Sequence, residues 1–292
     1  MKLITERNFI KEKLEGIHFE MNYSLKNFSR YKTGGNGRIV VFPKRCEDVI
    51  KVTERLKEEY PIFVIGGGSN LLISDKGYNG VVISTIHLND ISLNSNLLTA
   101  ECGAKMCDII SETSINCLSG LEFMVGIPAT VGGAVAMNAG CHNRNVSENI
   151  CYVVTNKGTY RKEECLFEYR KSRFLNNEVI LKVCFSLNPA EEDIIEDKIK
   201  TYKGFRRTPK GRNCGSVFKN DGYFAGKIID EVGLKGYKHK GAKVSDTHAN
   251  YIIAEENCTS LDIYELIGKI KDKVKSLKQI DLNEEIIYLG EF

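Results

Sequence analysis

No Cys-x-x-Cys pair occurs anywhere in the 292 residues, although ten cysteines do, and only five histidines accompany them. Zinc and iron–sulfur centres are therefore poorly supported, and no metal site is expected. The scattered thiols (Cys46, Cys102, Cys107, Cys117, Cys141, Cys151, Cys165, Cys184, Cys214 and Cys258) read as reduced cysteines of a cytoplasmic protein. No run of roughly 18 apolar residues exists, so no membrane span is expected. The start, MKLITERNFIKEK, is charged from its second residue and lacks the apolar core of a secretory signal. Neither sign of charge dominates: 41 basic against 38 acidic residues leave +3, too little to imply a nucleic-acid partner. Tryptophan is absent, which carries no functional reading, and no long-period repeat or low-complexity tract is present.

What remains is an ordinary globular composition, 42% hydrophobic and 27% charged. The length suits about two domains, each with its own core. Arg38 to Phe42 reads as a strand closed by Pro43. Glu47 to Tyr60 carries Val49, Val52, Leu56 and Tyr60 near helical spacing, and Pro61 restarts the chain as a strand. Further strands are expected at Val81–Ile83, Leu97–Cys102, Cys151–Thr155 and Val179–Leu187, with a helix over Lys105–Cys117 and a hairpin turn at Asn156-Lys157-Gly158. An acidic stretch, Glu191–Asp197, runs into a basic one, Lys198–Arg212, the order a helix dipole prefers. Thr259-Ser260-Leu261-Asp262 resembles a capping box opening a helix whose Ile263, Ile267, Ile270, Val274 and Leu277 share one face. The pattern is mixed α and β, and divides into 1–85, 86–190 and 191–292.

Three stretches are rich in glycine or small residues. In Gly66-Gly67-Gly68-Ser69-Asn70-Leu71 a leucine takes the third position of the dinucleotide fingerprint and no helical stripe follows; no Gly-Lys-Ser/Thr follows either. Neither the helix-backed fingerprint nor the P-loop applies. A nest of backbone N–H groups aimed at an anion remains, beside a plain tight turn. In 120–140, GLEFMVGIPATVGGAVAMNAG, the residues Gly132, Gly133, Ala134, Ala136, Ala139 and Gly140 leave bare backbone for a flat or anionic ligand, or else a closely packed helix. Tyr31-Lys32-Thr33-Gly34-Gly35 sets a cation and a hydroxyl ahead of a glycine pair.

In order along the chain, NFSRYKTGG (27–35), VIGGGSNLL (64–72), the 120–140 block, YRKS (169–172), CGSVFKN (214–220) and LNEEIIYLGE (282–291) resemble the UDP-N-acetylenolpyruvoylglucosamine reductases, also called UDP-N-acetylmuramate dehydrogenases, of bacterial peptidoglycan synthesis. The likeness runs from about residue 25 to the C-terminus and is to the shorter class of these enzymes. It implies an α+β protein: a two-part FAD-binding region of the vanillyl-alcohol-oxidase (PCMH) type, then a C-terminal α/β substrate-binding domain. It implies noncovalent FAD, NADPH as reductant, and UDP-N-acetylglucosamine enolpyruvate as substrate; separately from the resemblance, a monomer is expected. The cofactor residues it implies are Tyr31, Thr33, Gly34, Gly66, Gly67, Gly68, Ser69, Asn70, Gly126, Ile127, Pro128, Thr130, Gly132, Gly133, Ala134, Asn138, Ala139, Gly140 and Val179. The two glycine loops then read as the jaws of one clamp on the FAD pyrophosphate.

The chemistry so implied makes demands on the chain. Hydride added to the terminal carbon of an enolpyruvyl ether leaves charge spreading into the carboxylate, which needs preorganised partners, and a proton must reach the internal carbon. By the resemblance, Arg170 and Glu285 stabilise that charge and Ser216 delivers the proton. An arginine fork suits a carboxylate, whereas a glutamate helps there only when protonated or reoriented, so a raised pKa is expected for Glu285. Lys219, Arg206 and Asn220 are assigned to the substrate, whose diphosphate calls for cations. On charge and composition alone Arg170 would be a solvated arginine, Ser216 a turn residue, and the basic residues near 206 a solvated helix face. The chain departs from the family pattern at TPKGRNC (208–214), at Ala129 after Pro128, and at Cys141-His142-Asn143, which bears on loop detail and substrate contacts. Two other readings compete: a flavin oxidase of the same fold, disfavoured because no histidine lies between Lys32 and Tyr78 to tether FAD, and a noncatalytic UDP-sugar-binding protein.

Overall fold

The computed structural model describes residues 2–175 and 178–292. The chain forms two compact units, each drawn from three segments: Met1–Glu20, Val40–Gly67 and Val81–Arg206 in the first, Met21–Ile39, Gly68–Gly80 and Arg207–Phe292 in the second.

In the first unit the helix after Pro43 spans Cys46–Leu56 and buries Cys46, Val49, Val52, Thr53 and Leu56. The Asp48 carboxylate accepts from Arg45 N at 3.1 Å and Lys44 N at 3.2 Å, which satisfies donors a helix start leaves open. The helix stops short of the expected Tyr60. A residue before proline is pushed out of the helical region, and Tyr60 N instead closes a turn onto Leu56 O at 2.9 Å. Ile62–Ile65 follows as a strand, running parallel to the end of Tyr78–Ser84 with Ile62 opposite Val81 and Ile65 opposite Ser84. This register fixes where the chain leaves the sheet into Gly66.

A five-stranded antiparallel sheet makes the rest of this unit's core, in the order Thr159–Arg161, Ile150–Thr155, Ile180–Ser186, Leu97–Glu101, Ile91–Asn94. Val153 lies opposite Val183, and Val183 opposite Ala100, all wholly buried, so one apolar row crosses three strands. The hairpin expected at 156–158 closes with Thr155 N bonded to Gly158 O at 2.8 Å. Met106–Ile115 buries Met106, Ile109, Ile110 and Thr113. Helix Glu192–Phe205 ends before Arg206; residues 206–212 of the basic stretch are not helical, since Pro209 excludes its predecessor from a helix.

The second unit is built on helix Ser260–Lys278 and a three-stranded sheet of Lys238–His239, Ala242–Val244 and Ile252–Ala254. The capping box forms: Asp262 N donates to Thr259 Oγ1 at 3.1 Å and Thr259 N to Asp262 Oδ2 at 3.0 Å. Ile263, Ile267, Ile270 and Val274 are buried as their spacing requires. Leu277 is not: it falls in the last turn, beyond the core, and is 61% exposed. Leu71–Ile73 pairs in parallel with Ile287–Leu289, Leu71 opposite Ile287, so the segment after the first glycine loop and the C-terminal strand share one ladder. No helix among the described residues is long and apolar enough to cross a membrane.

Candidate active site

Two glycine stretches meet inside the first unit. A Cβ built on Gly66 would lie 2.2 Å from Thr130 Oγ1, so these backbones touch only because residue 66 has no side chain. Gly67 has more room, its nearest neighbour being Pro128 O at 3.5 Å. Thr130 caps the short helix Val131–Ala136, its hydroxyl accepting from Gly133 N. Beneath it Gly132 N donates to Cys102 O at 2.8 Å, and a Cβ there would stand 2.8 Å from that of Cys102. Small residues are thus required by close packing on one side of this loop. Only residues 131–136 of the 120–140 block are α-helical; Glu122–Met124 forms a single 3-10 turn and Ala139 N closes onto Ala134 O at 2.7 Å. Gly126 takes φ +74°, Ile127 N bonds Met124 O, and Ala134 is buried in the helix.

Asn138 and Gly140 carry the next turn. Buried Asn138 Nδ2 donates to Glu168 O at 2.9 Å, and Ser172 Oγ to Ala136 O at 2.7 Å, pinning 168–172 against 136–140. Glu168 and Lys171 pair through their backbones with Arg170 between them at φ +55°, a left-handed conformation uncommon for a side chain of this size. Arg170 Nη2 donates to Gly140 O at 2.9 Å, and its guanidinium lies 4.9 Å from the Tyr169 ring centre. Arg206 packs on the same loop from another direction: a Cβ at Gly126 would meet its Cδ at 3.1 Å. Burial pushes the Cys141 thiol up, while nearby Arg206 and Arg170 pull it down. Arg170 and Arg206 are therefore brought to one glycine loop. Val179 is placed elsewhere, exchanging backbone and side-chain bonds with Asn156 at the hairpin end.

The remaining predicted residues lie in the second unit. Gly68, at φ +59°, passes so close to Phe28 O that a Cβ would sit 1.8 Å away. Gly34 N donates to Asp75 Oδ1 at 2.8 Å. Tyr31 is wholly buried in the core with Leu72 and Cys214, and the buried hydroxyls of Ser29 and Thr33 have no hydrogen-bond partner. Ser69 is half-buried in the turn leading to Asn70. Asn70 Nδ2 donates to Glu285 O at 2.9 Å, and Ile287 N to Asn70 O at 3.0 Å, so this side chain from the first glycine loop holds the backbone of Glu285.

Ser216 and Glu285 are brought together. Glu285 N donates at 2.8 Å to the carbonyl of Val217, the residue after Ser216, and Lys219 N donates to Asn283 O at 2.8 Å. Phe218 bridges Glu284 across the same pairing. Asn220 Oδ1 accepts from Ala225 N at 3.0 Å, at the start of helix Ala225–Glu231. The departure at TPKGRNC has a structural role: buried Asn213 donates to Pro209 O and Gly211 O at 3.2 and 3.0 Å, and its Oδ1 accepts from Gly215 N at 3.2 Å, folding the turn into Ser216. Sequence reasoning missed Asn213; its position among the turn residues of 208–215 was the signal.

Comparison with known proteins bears on the family and the fold. A family model described as "FAD binding domain" matches residues 37–162, and one described as "UDP-N-acetylenolpyruvoylglucosamine reductase, C-terminal domain" matches 207–289. A protein of Caldicellulosiruptor bescii named UDP-N-acetylenolpyruvoylglucosamine reductase is 36% identical over 96% of this chain and 93% of its own. One of Borrelia garinii with the same name is 38% identical over 91% and 92%. The crystal structure of UDP-N-acetylenolpyruvylglucosamine reductase from Thermus caldophilus aligns with TM-score 0.82 at 28% identity, covering 94% of this chain and 99% of that one. By its sequence, its two matched regions and its fold, the chain belongs to the UDP-N-acetylenolpyruvoylglucosamine reductase family.

Proposed function

We propose that this protein reduces UDP-N-acetylglucosamine enolpyruvate to UDP-N-acetylmuramate, with FAD held noncovalently and NADPH as the reductant. The residues present fit the flavin nucleotide. Gly66 lets the first glycine loop pack directly on Thr130, and Gly67 beside it presents bare backbone with nothing nearer to its missing side chain than Pro128 O at 3.5 Å, room for an anion to approach. Gly66 and Gly67, with the backbone of 126–140, would hold the pyrophosphate. When bound, FAD supplies the hydride.

The chain's own residues then manage charge and proton. Arg170, its turn pinned to the second glycine loop by Asn138 and Ser172, offers a guanidinium to the carboxylate on which charge accumulates. Glu285, protonated, serves the same charge, and Ser216 delivers the proton. Arg206, Lys219 and Asn220 are assigned to the UDP portion. The observation that carries this reading is the bond from Glu285 N to Val217 O, which sets the two acid–base candidates on adjacent backbones. Purified protein incubated with FAD should show flavin absorbance bands and oxidise NADPH only when the enolpyruvyl substrate is present. Absence of flavin bands after reconstitution would sink the reading; NADPH oxidation indifferent to that substrate would point to an oxidase.

A further inference from the structure

The segment Val217–Lys219, next to Ser216, is paired on one side with 283–286, through Glu285 N and Ile286 N to Val217 O and Lys219 N to Asn283 O. On the other side a single residue stands in for a strand. Asn250 O accepts from Val217 N at 2.9 Å, Asn250 Oδ1 accepts from Phe218 N at 2.9 Å, and Asn250 Nδ2 donates to Phe218 O at 2.8 Å. The residue is only 2% exposed, so water cannot replace these bonds. Its own backbone is anchored in turn: Asn250 N donates to His248 Nδ1 at 3.3 Å, and the chain continues into the strand Ile252–Ala254.

We propose that Asn250 is a positioning residue for proton delivery: its carboxamide reproduces the donor and acceptor of a peptide group and fixes Ser216 relative to Glu285. This rests on the assignment of Ser216 as proton donor given above. A serine is a weak acid, and a displacement of about 1 Å at a reacting group can cost on the order of a hundredfold. The requirement is specific to asparagine. Aspartate keeps the shape and the acceptor for Phe218 N but turns an oxygen lone pair toward Phe218 O. Glutamine is one methylene too long, and alanine leaves both polar groups of Phe218 buried without partners.

The test uses FAD-loaded enzyme whose flavin has been reduced with dithionite in the absence of oxygen, mixed rapidly with the enolpyruvyl substrate in H2O and in D2O. In Asn250→Asp, flavin reoxidation should slow at least tenfold at saturating substrate. Its solvent isotope effect should rise, while the FAD dissociation constant and the half-saturating substrate concentration stay within threefold. Ser216→Ala is run alongside. Should Ser216→Ala reoxidise at the wild-type rate, the proton-donor assignment falls and the role of Asn250 falls with it. Should Ser216→Ala be slow while Asn250→Asp matches wild type in rate and isotope effect, only the role of Asn250 is overturned. A slow Asn250→Asp with an unchanged isotope effect, its loss matching the loss of folded protein, overturns it too. If the variant does not accumulate folded, hydrogen exchange in the unaltered holoenzyme decides. Val217 and Phe218 amides among the slowest in the chain support the proposal, and amides exchanging a hundredfold faster than the slowest overturn it.

Discussion

Of the three consecutive glycines, the fold itself requires two, each for its own reason, and leaves the middle one free. Gly66 leaves space for the Thr130 hydroxyl, Gly68 adopts a positive φ beneath Phe28 O, and Gly67 has ordinary van der Waals room around its missing Cβ. Substitution should therefore separate folding from binding. Gly67→Val should leave the thermal transition within a few degrees of wild type while abolishing flavin binding in a fluorescence titration; normal FAD affinity would reduce the loop to a turn. Gly68→Ala should cost more than about 2 kcal/mol in denaturant unfolding, because a left-handed conformation alone costs an L residue roughly 1–2 kcal/mol and backbone clash adds to it. His248 offers a pH test. Burial pushes its imidazole below the ordinary value, with Lys235 adding to the effect, and Nδ1 must be unprotonated to accept from Asn250 N. A base with a lowered folded pKa stabilises fully above its unfolded pKa, near 6.5, and loses that contribution as pH falls toward the folded value. Solvent reaches part of the ring, so the effect is small: the wild-type melting temperature should fall slightly more between pH 7 and 5 than that of His248→Asn. At this scale the sequence showed that residues 66–68 were no dinucleotide fingerprint, but which glycine served backbone, neighbour or ligand depended on Phe28 and Thr130, both distant in the chain.

Among the elements, those governed by local rules were readable. Helix Ser260–Lys278 announces its start through Thr259 and Asp262 and its buried face through Ile263, Ile267, Ile270 and Val274, because cap and stripe are set within a few residues. Thr259→Ala should cost about 1 kcal/mol, the usual worth of a cap, seen as a lower denaturant midpoint at constant slope. Leu277→Ser, at a 61% exposed position, should change that midpoint hardly at all. Composition could not choose between helix and bare backbone for 120–140, since small residues allow both; the structure uses both, with six helical residues at Val131–Ala136 and the loops around them. The pairing of Val217–Lys219 with 283–286, and the substitution of Asn250 for a strand, left no periodic trace. Each joins segments far apart in sequence, and one uses a side chain where a ladder would use backbone.

At the scale of the whole chain, the matched C-terminal domain of 207–289 and the compact unit that contains it are not the same object. That unit also takes in Met21–Ile39 and Gly68–Gly80. Its core includes Tyr31 and Leu72, both wholly buried among Val217, Phe218, Ile229, Ile263 and Ile286. Leu71–Ile73 supplies the ladder partner of Ile287–Leu289, and Asp75 accepts from Ser260 N and Oγ at the start of the long helix. A fragment of residues 207–292 would lack all three, exposing the groups that Leu72 and Tyr31 cover and leaving the C-terminal strand without its partner, so Glu285 would lose the bond from Asn70. Such a fragment should show no cooperative thermal transition by circular dichroism and broad amide resonances, and adding a peptide of residues 68–80 alone should not restore either, since Tyr31 would still be missing. A sharp transition in the isolated fragment would mean that the interleaved segments merely decorate a self-sufficient core, and that Ser216 and Glu285 are held together without help from the first glycine loop.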